Sequence, residues 1–329
     1  MLNQIGVAIT VLQSAILVTA FLRHRRQGLA LYGWIGLIGL AAAEGLLLGG
    51  FRPVAVYFTP IAWTGYILVV DACVLALRGR SLLHDHPRQF AAMALLSVPL
   101  WLLFEGYNLR LENWIYSGVP EAWPLALAGY GWSFATITPG IFETADLVES
   151  FGWFRRPWSA RFSRGTRALT VLFGSACLLL PLVVPSGAAR RLFILVWIGF
   201  IFLLDPINHR LRLPSLLGDF EHGHGSRFCA LLVSGFVCGW FWEFWNYRAA
   251  AKWHYIFPMF QRFKIFEMPA PGYLGFLPFA LECFVMYVTA SALALKLAGV
   301  EPQKIRWALP GNPDSNAIAE PRRSPPCAL

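Results

Sequence analysis

The sequence predicts an all-α, polytopic membrane bundle of about nine transmembrane helices. Two parallel three-helix repeats in a 3+1+3 plan follow two extra helices. Three observations carry this. The 329 residues are 57% hydrophobic and only 14% charged, against roughly 25% charged in soluble domains. Runs such as GVAITVLQSAILVTAFL (6–22) and LALYGWIGLIGLAAAEGLLLGG (29–50) approach or exceed the roughly 20 apolar residues that cross a bilayer. The third observation is a set of short motifs written twice in the same order.

The spans fall at 5–22, 29–49, 53–77, 89–108, 131–153, 168–185, 190–206, 227–247 and 272–296. The first has no basic residues before it and no small-residue cleavage site after it, so it reads as a retained anchor. RHRRQ (23–27), RGRSLLHDHPR (78–88), FRRPWSARFSRGTR (154–167) and HRLRLPSLLGDFEHGHGSR (209–227) are basic loops on one side of the membrane. The positive-inside bias then puts the N-terminus outside and the C-terminus in the cytoplasm, in a plasma membrane of the bacterial inner type. One short loop on the other side carries Arg190 and Arg191, against the bias. The net charge of +9 is therefore topogenic, and nucleic acid is not an expected partner. The six cysteines form no CxxC and sit mostly in apolar runs, which predicts neither disulfides nor a zinc site. Residues 297–329 hold many prolines and little apolar periodicity, and read as a disordered cytoplasmic tail.

The division expected is two N-terminal helices (1–50), repeat A (51–153), a linker helix (154–188), repeat B (189–296) and the tail. GYILVVD ends at Asp71 and GFIFLLD at Asp205; SLLHD ends at Asp85 and SLLGD at Asp219. LFEGYN (103–108) then matches FWEFWN (241–246), WIY (114–116) matches WHY (253–255), and PGIFE (139–143) matches PFALE (278–282). The spacing between copies grows only from 134 at the first aspartates to 139 at the last glutamates. Parallel repeats place a shared site between the halves. The intervals 109–130 and 248–271 are rich in aromatic residues and proline, and read as interfacial or re-entrant segments capping a cavity.

Carboxylates inside spans cost at least about 2.5 kcal/mol each to insert and mark function or a paired interior. The matched acids are Glu105, Glu143, Glu243 and Glu282, candidates for catalysis. Asn108 and Asn246 lie three residues after Glu105 and Glu243, on the same helix face, where an amide orients an acid. With Trp114, Tyr116, Trp242, Trp253 and Tyr255 they form the candidate substrate-binding set. A carboxylic acid in an apolar pocket keeps its proton and donates it to an alkene or epoxide, while a second carboxylate takes one back. Aromatic faces stabilise the cation between those steps.

The stretch GYLGFLPFALECFVMY (272–287) resembles the membrane lycopene cyclase domain, whose repeats carry a proline followed by acids on a late helix. The 3+1+3 plan and the Trp242–Glu243 pair near a helix end are similar to the membrane terpene cyclases of fungal meroterpenoid pathways. The likeness covers roughly 53–296. It implies an isoprenoid cyclase or isomerase, with Glu143 and Glu282 as its acids and Glu105 and Glu243 as acids by analogy. The family's acids follow the proline as PxEE, whereas here a single Glu stands four residues on.

Two other functions stay open on the residues. The acids suit a proton- or cation-coupled carrier, with Pro139 and Pro278 breaking helices at corresponding places. They also suit a scaffold in which acids tie helices together. Asp71, Asp205 and the loop residues His84, Asp85, His86, His209, Asp219, His222 and His224 are weaker candidates, the last group as metal ligands. Glu44 is expected to pair with a neighbouring helix, and Asp146 and Glu149 lie outside the duplicated set. No P-loop, nucleotide fingerprint or nucleophile motif occurs, so no cofactor is expected. The expected partners are a lipid-soluble small molecule and membrane lipid.

Overall fold

The computed structural model describes residues 1–154, 159–299 and 309. The tail expected over 297–329 lies almost wholly outside them. The chain opens with α1 (Leu2–His24), α2 (Leu31–Leu48), α3 (Arg52–Val56) and α4 (Phe58–Arg78). The one-turn α5 (Leu82–Asp85) precedes α6 (Pro87–Leu111), β1 (Trp114–Ser117), α7 (Trp123–Ala135) and α8 (Ile137–Ser150). Then come α9 (Arg164–Val183), α10 (Ser186–Ala189), α11 (Phe193–Arg210), α12 (Leu216–Glu221) and α13 (Ser226–Arg248). After β2 (Lys252–Tyr255), the hairpin β3 (Lys264–Ile265) and β4 (Met268–Pro269) leads through a 3-10 turn, Ala270–Gly275, into α14 (Phe276–Leu297).

Among the described residues, eight helical stretches are long and apolar enough to cross a membrane: α1, α2, α4, α6, α9, α11, α13 and the continuous Ala270–Leu297. Their bounds agree with the sequence expectation to within five residues. The helices α4, α8, α13 and α14 are mostly buried and form the centre. The surrounding helices turn Leu12, Ile16, Ile38, Leu95, Leu169 and Leu172 outward. A monomeric soluble protein rarely exposes so wide an apolar belt, whereas hydrocarbon accepts it. The architecture is compatible with an integral membrane protein.

The span expected over 131–153 is instead two helices, α7 and α8, meeting at Thr136. Pro139 is the cause: it has no N–H and its ring excludes the carbonyl of Ala135 from the helix. Ser97 of α6 serves the junction, donating to the Phe134 carbonyl at 2.6 Å and accepting the Thr138 amide at 3.0 Å. Pro278 is the third residue of α14 as Pro139 is of α8, and there too a separate turn precedes the helix.

The helix expected as a linker, α9, packs closely on α11, and α2 packs closely on α4. The α2–α4 crossing is so close that a Cβ on Gly36 would stand 2.7 Å from the Gly65 carbonyl oxygen. In the α9–α11 crossing a Cβ on Gly174 would stand 2.8 Å from the Gly199 carbonyl oxygen. Small residues at such crossings let backbones approach where lipid offers no hydrophobic drive. Gly65 and Gly199 open the matched motifs GYILVVD and GFIFLLD.

The aspartates that end those motifs have a structural task. Asp71 accepts the Ser81 hydroxyl at 2.7 Å, the Leu83 amide at 2.9 Å and the Tyr32 hydroxyl at 2.6 Å. Asp205 accepts the Leu216 and Leu217 amides at 2.7 and 2.9 Å. Each thereby satisfies first-turn N–H groups, of α5 and α12, that have no partner within their own helix. Glu44 pairs with Arg248 at 3.4 Å, and Arg78 meets Asp146 at 2.9 Å and Glu149 at 3.7 Å.

Candidate functional site

The two aromatic segments cap a cavity by pairing with each other. Strands β1 and β2 run antiparallel, with Trp114 opposite Tyr255 and Tyr116 opposite Trp253. Trp114 matches Trp253 in the two motifs, and Tyr116 matches Tyr255, so the ribbon is symmetric about its middle. Strand alternation sends these four rings to one face, towards the helices.

An asparagine pins each strand. The Asn246 side-chain oxygen accepts the Trp253 amide at 2.9 Å, and its nitrogen donates to the Trp253 carbonyl at 2.9 Å. Asn108 accepts the amides of Asn113 and Trp114 at 2.8 and 3.2 Å and donates to the Trp114 carbonyl at 2.8 Å. The expectation that these amides orient the acids is thus corrected. The three-residue spacing does share a helix face, but the partner is strand backbone that would otherwise be left unpaired.

The acids take their bonds from the strands' side chains. Glu105 Oε1 accepts the Tyr116 hydroxyl at 2.5 Å and the indole N–H groups of Trp101 and Trp114 at 2.8 and 3.2 Å. Glu243 Oε1 accepts the Tyr255 hydroxyl at 2.8 Å and the Trp253 indole at 3.4 Å. Glu105 is half-buried, whereas Glu243 is wholly buried and its Oε2 has no hydrogen-bond partner. The copies differ because the place of Trp101 is taken by Gly239, against which Phe276 packs. Burial, with the charge of the adjoining carboxylate, holds the Tyr116 and Tyr255 hydroxyls well above the ordinary tyrosine range. Both keep their protons at neutral pH.

Between the ribbon and the helices lies a cavity of about 120 Å³, its wall mostly apolar and including Trp101, Trp114, Tyr116, Trp242, Trp253 and Tyr255, with Thr59, Ser133 and Lys252 as polar members. A dry cavity of roughly 150 Å³ takes one benzene ring, so this space suits a single ring-sized apolar group. Neither Glu105 nor Glu243 forms part of the wall. Each is reached from the cavity through its tyrosine.

Glu143 and Glu282 lie outside this arrangement. Glu282 accepts the Phe200 amide of α11 at 3.2 Å. Glu143 is buried beside Asp71, and neither of its oxygens has a hydrogen-bond partner of good geometry. The structure therefore gathers Glu105, Glu243 and all five candidate aromatic residues, and separates the two acids that follow the prolines. Trp101 was missed in the sequence although it stands four residues before Glu105, on the same helix face. Phe134 and Phe279, also in the wall, arrive from α7 and α14 by packing that no spacing reveals. His84 meets Asp85 at 2.6 Å and His209 meets Glu221 at 3.3 Å. No group of three or more His, Cys, Asp or Glu gathers to hold a metal among the described residues.

No protein-family model, curated protein or solved structure matches the chain.

Proposed function

We propose that the chain is a membrane enzyme that isomerises or cyclises a lipid-soluble, isoprenoid-like substrate by proton transfer, in the manner of the membrane cyclases its motifs resemble. The observation that carries this reading is Glu243, a wholly buried acid whose hydrogen-bonded Tyr255 forms part of an aromatic cavity wall. Glu105 and Tyr116 form a second such pair on the same cavity. One pair delivers a proton through its tyrosine oxygen to an alkene or epoxide. The indole faces hold the cation, and the other pair takes a proton from the adjacent carbon. The sequence of steps balances without a cofactor. A cavity of ring size receives one end of the substrate, and the remaining chain extends into the hydrocarbon.

The duplicated plan belongs to the same proposal. The matched Gly65 and Gly199 crossings, the Asp71 and Asp205 caps and the Asn108 and Asn246 clamps support it. Since α2 and α9 take part, these pairs favour one leading helix and two four-helix halves over the 3+1+3 plan. An even number of crossings per half inserts both copies in the same direction. With α7 and α8 crossing together, the ribbon lies on the outer side of the membrane and the basic loops on the cytoplasmic side.

The test is chromatography and mass spectrometry of lipid extracts from cells with and without the protein. A product of unchanged mass and altered retention is expected, absent when Glu243→Gln replaces the wild type at equal membrane abundance. Identical lipid profiles for all three strains overturn the reading. The wholly buried Glu143 beside the buried Asp71 favours a second reading, a proton- or cation-coupled carrier. It requires flux across proteoliposomes that is lost in Glu143→Gln.

A further inference from the structure

The ribbon has a second face, and it breaks the symmetry of the first. Where the inner face repeats Trp and Tyr, the outer face carries Ile115 and Ser117 on β1 but Lys252 and His254 on β2. Ser117 and His254 are diagonal neighbours across the strands, which is within reach of longer side chains. The Ser117 hydroxyl lies 2.8 Å from His254 Nε2. On the other side of the ring, His254 Nδ1 lies 3.1 Å from Glu267 Oε2. Lys252 Nζ holds the remaining oxygen, Glu267 Oε1, at 3.0 Å.

The partners fix the roles of the neutral ring. An ionised carboxylate only accepts, so Nδ1 carries the hydrogen, and in the neutral ring Nε2 is bare and accepts the hydrogen of Ser117. Burial alone pushes the Glu267 carboxyl up, but the hydrogen bonds from Lys252 and His254 outweigh it and hold the group below its ordinary value. The carboxylate is thus ionised and fixed at both oxygens.

The turn that presents Glu267 is itself strained. Phe266 and Glu267 are the two residues between β3 and β4, and Phe266 has φ 57°, a left-handed conformation rare for a bulky residue. Helix α1 holds it there. Asn3 accepts the Phe266 amide at 2.8 Å, and the ring sits so close to Gly6 that a Cβ there would stand 2.6 Å from it. Strain of this kind persists where the surroundings over-determine it, and clusters at active sites.

We propose that Ser117, His254 and Glu267 form a second catalytic site, a nucleophile–base–acid relay that hydrolyses carboxylic esters of amphiphilic acyl groups. A nucleophile within hydrogen-bond reach of a base that a third group orients is the signature of covalent acyl transfer. Ser117 is exposed, and Ile115 beside it on the same face is 50% exposed, giving an acyl chain an apolar contact. Ser117 Oγ bonds to the ester carbonyl carbon as its proton passes to His254 Nε2. The ester C–O bond breaks, and the histidine returns that proton to the leaving alcohol. Water then attacks the acyl-serine by the same route, releasing the carboxylic acid and restoring Ser117. Lys252 is a positioning residue that keeps Glu267 aimed at the ring.

The test uses the full chain in detergent micelles with a fluorophosphonate probe and a short-chain p-nitrophenyl ester. Mass spectrometry of the wild-type protein is expected to find the phosphonyl group on Ser117. Labelling and ester hydrolysis should vanish in Ser117→Ala and fall at least tenfold in His254→Gln and Glu267→Gln. Folded wild-type protein left unlabelled at Ser117 overturns the proposal, and this arm needs no variant to fold. Labelling of Ser117 undiminished in His254→Gln overturns it as well.

Discussion

Trp114 stands opposite Tyr255 in the ribbon, yet each donates to a different glutamate: Trp114 to Glu105 at 3.2 Å and Tyr255 to Glu243 at 2.8 Å. The backbone pairing thus joins two acid sites, one from each half of the chain, over a single cavity. Whatever shifts one strand shifts both sites.

The two tyrosines are not equivalent. Glu105 keeps two indole donors if Tyr116 loses its hydroxyl, whereas Glu243 keeps only the 3.4 Å contact of Trp253. Under the proposed proton transfer, Tyr255→Phe removes the relay to the more isolated acid. Turnover of the lipid product should fall about a hundredfold or more, within the usual range for losing a general acid or base. Tyr116→Phe should fall less. Product formation by both variants, at matched abundance, measures the difference.

Asn246→Ala tests the clamp rather than the chemistry. It leaves the Trp253 N–H and C=O without the partners they hold at 2.9 Å, in a place where Asn246 is wholly buried. Each unpaired backbone group costs about 1–3 kcal/mol, so a loss of about 2–4 kcal/mol is expected. Thermal unfolding in detergent, followed by tryptophan fluorescence, reads it. Asn108→Ala, on the half-buried clamp, should lose less.

Much of this was legible in the sequence, for identifiable reasons. Span positions follow from apolar runs, which bilayer thickness fixes. The matched acids and the WIY and WHY motifs were legible because they recur in the same order at nearly the same spacing, and the structure does bring Glu105, Glu243, Trp114, Tyr116, Trp253 and Tyr255 together. The partners were not. Spacing placed Asn246 beside Glu243, but only the return of the chain as β2 decided that its amide binds backbone. Likewise Gly65 and Gly199 were seen as motif letters, not as crossing points, because the residues opposing them are Gly36 and Gly174, on helices with no matching phrase. The Ser117, His254 and Glu267 cluster had no sequence signal, since its members are far apart and lie where the two copies differ.

Those crossings make a packing prediction. A Cβ at Gly36 or Gly174 would meet backbone oxygen at 2.7 or 2.8 Å, whereas nothing lies within 4 Å of one at Gly39. Backbone cannot step aside as a side chain does, so Gly36→Ala and Gly174→Ala should each cost about 1–3 kcal/mol, typical of overpacking. Gly39→Ala, one turn further along α2, should be neutral or slightly stabilising. Parallel losses at Gly36 and Gly174 in thermal unfolding are expected if the two crossings are counterparts. A loss at one alone would separate them.

Glu267 links the ribbon to pH. Burial raises its carboxyl, but hydrogen bonds from Lys252 and His254 bring it below the ordinary value of 4.5. A carboxyl with a lowered folded value binds its proton less readily folded than unfolded. Its contribution to stability is therefore fully present above pH 4.5 and is lost as the pH falls through the lowered value. Lys252 and His254 are the groups that face Glu267, at 3.0 and 3.1 Å, and the prediction follows the charge of the carboxylate they hold. The melting temperature of the wild type should exceed that of Glu267→Gln near pH 7. The gap should hold down to about pH 5, then narrow and close under more acid conditions. Because both proteins share every other titrating group, acid effects elsewhere cancel in the difference. A gap that stays constant across that range would mean that the hairpin turn is held by α1 and Phe266 alone, and that the charge of Glu267 does not brace the ribbon.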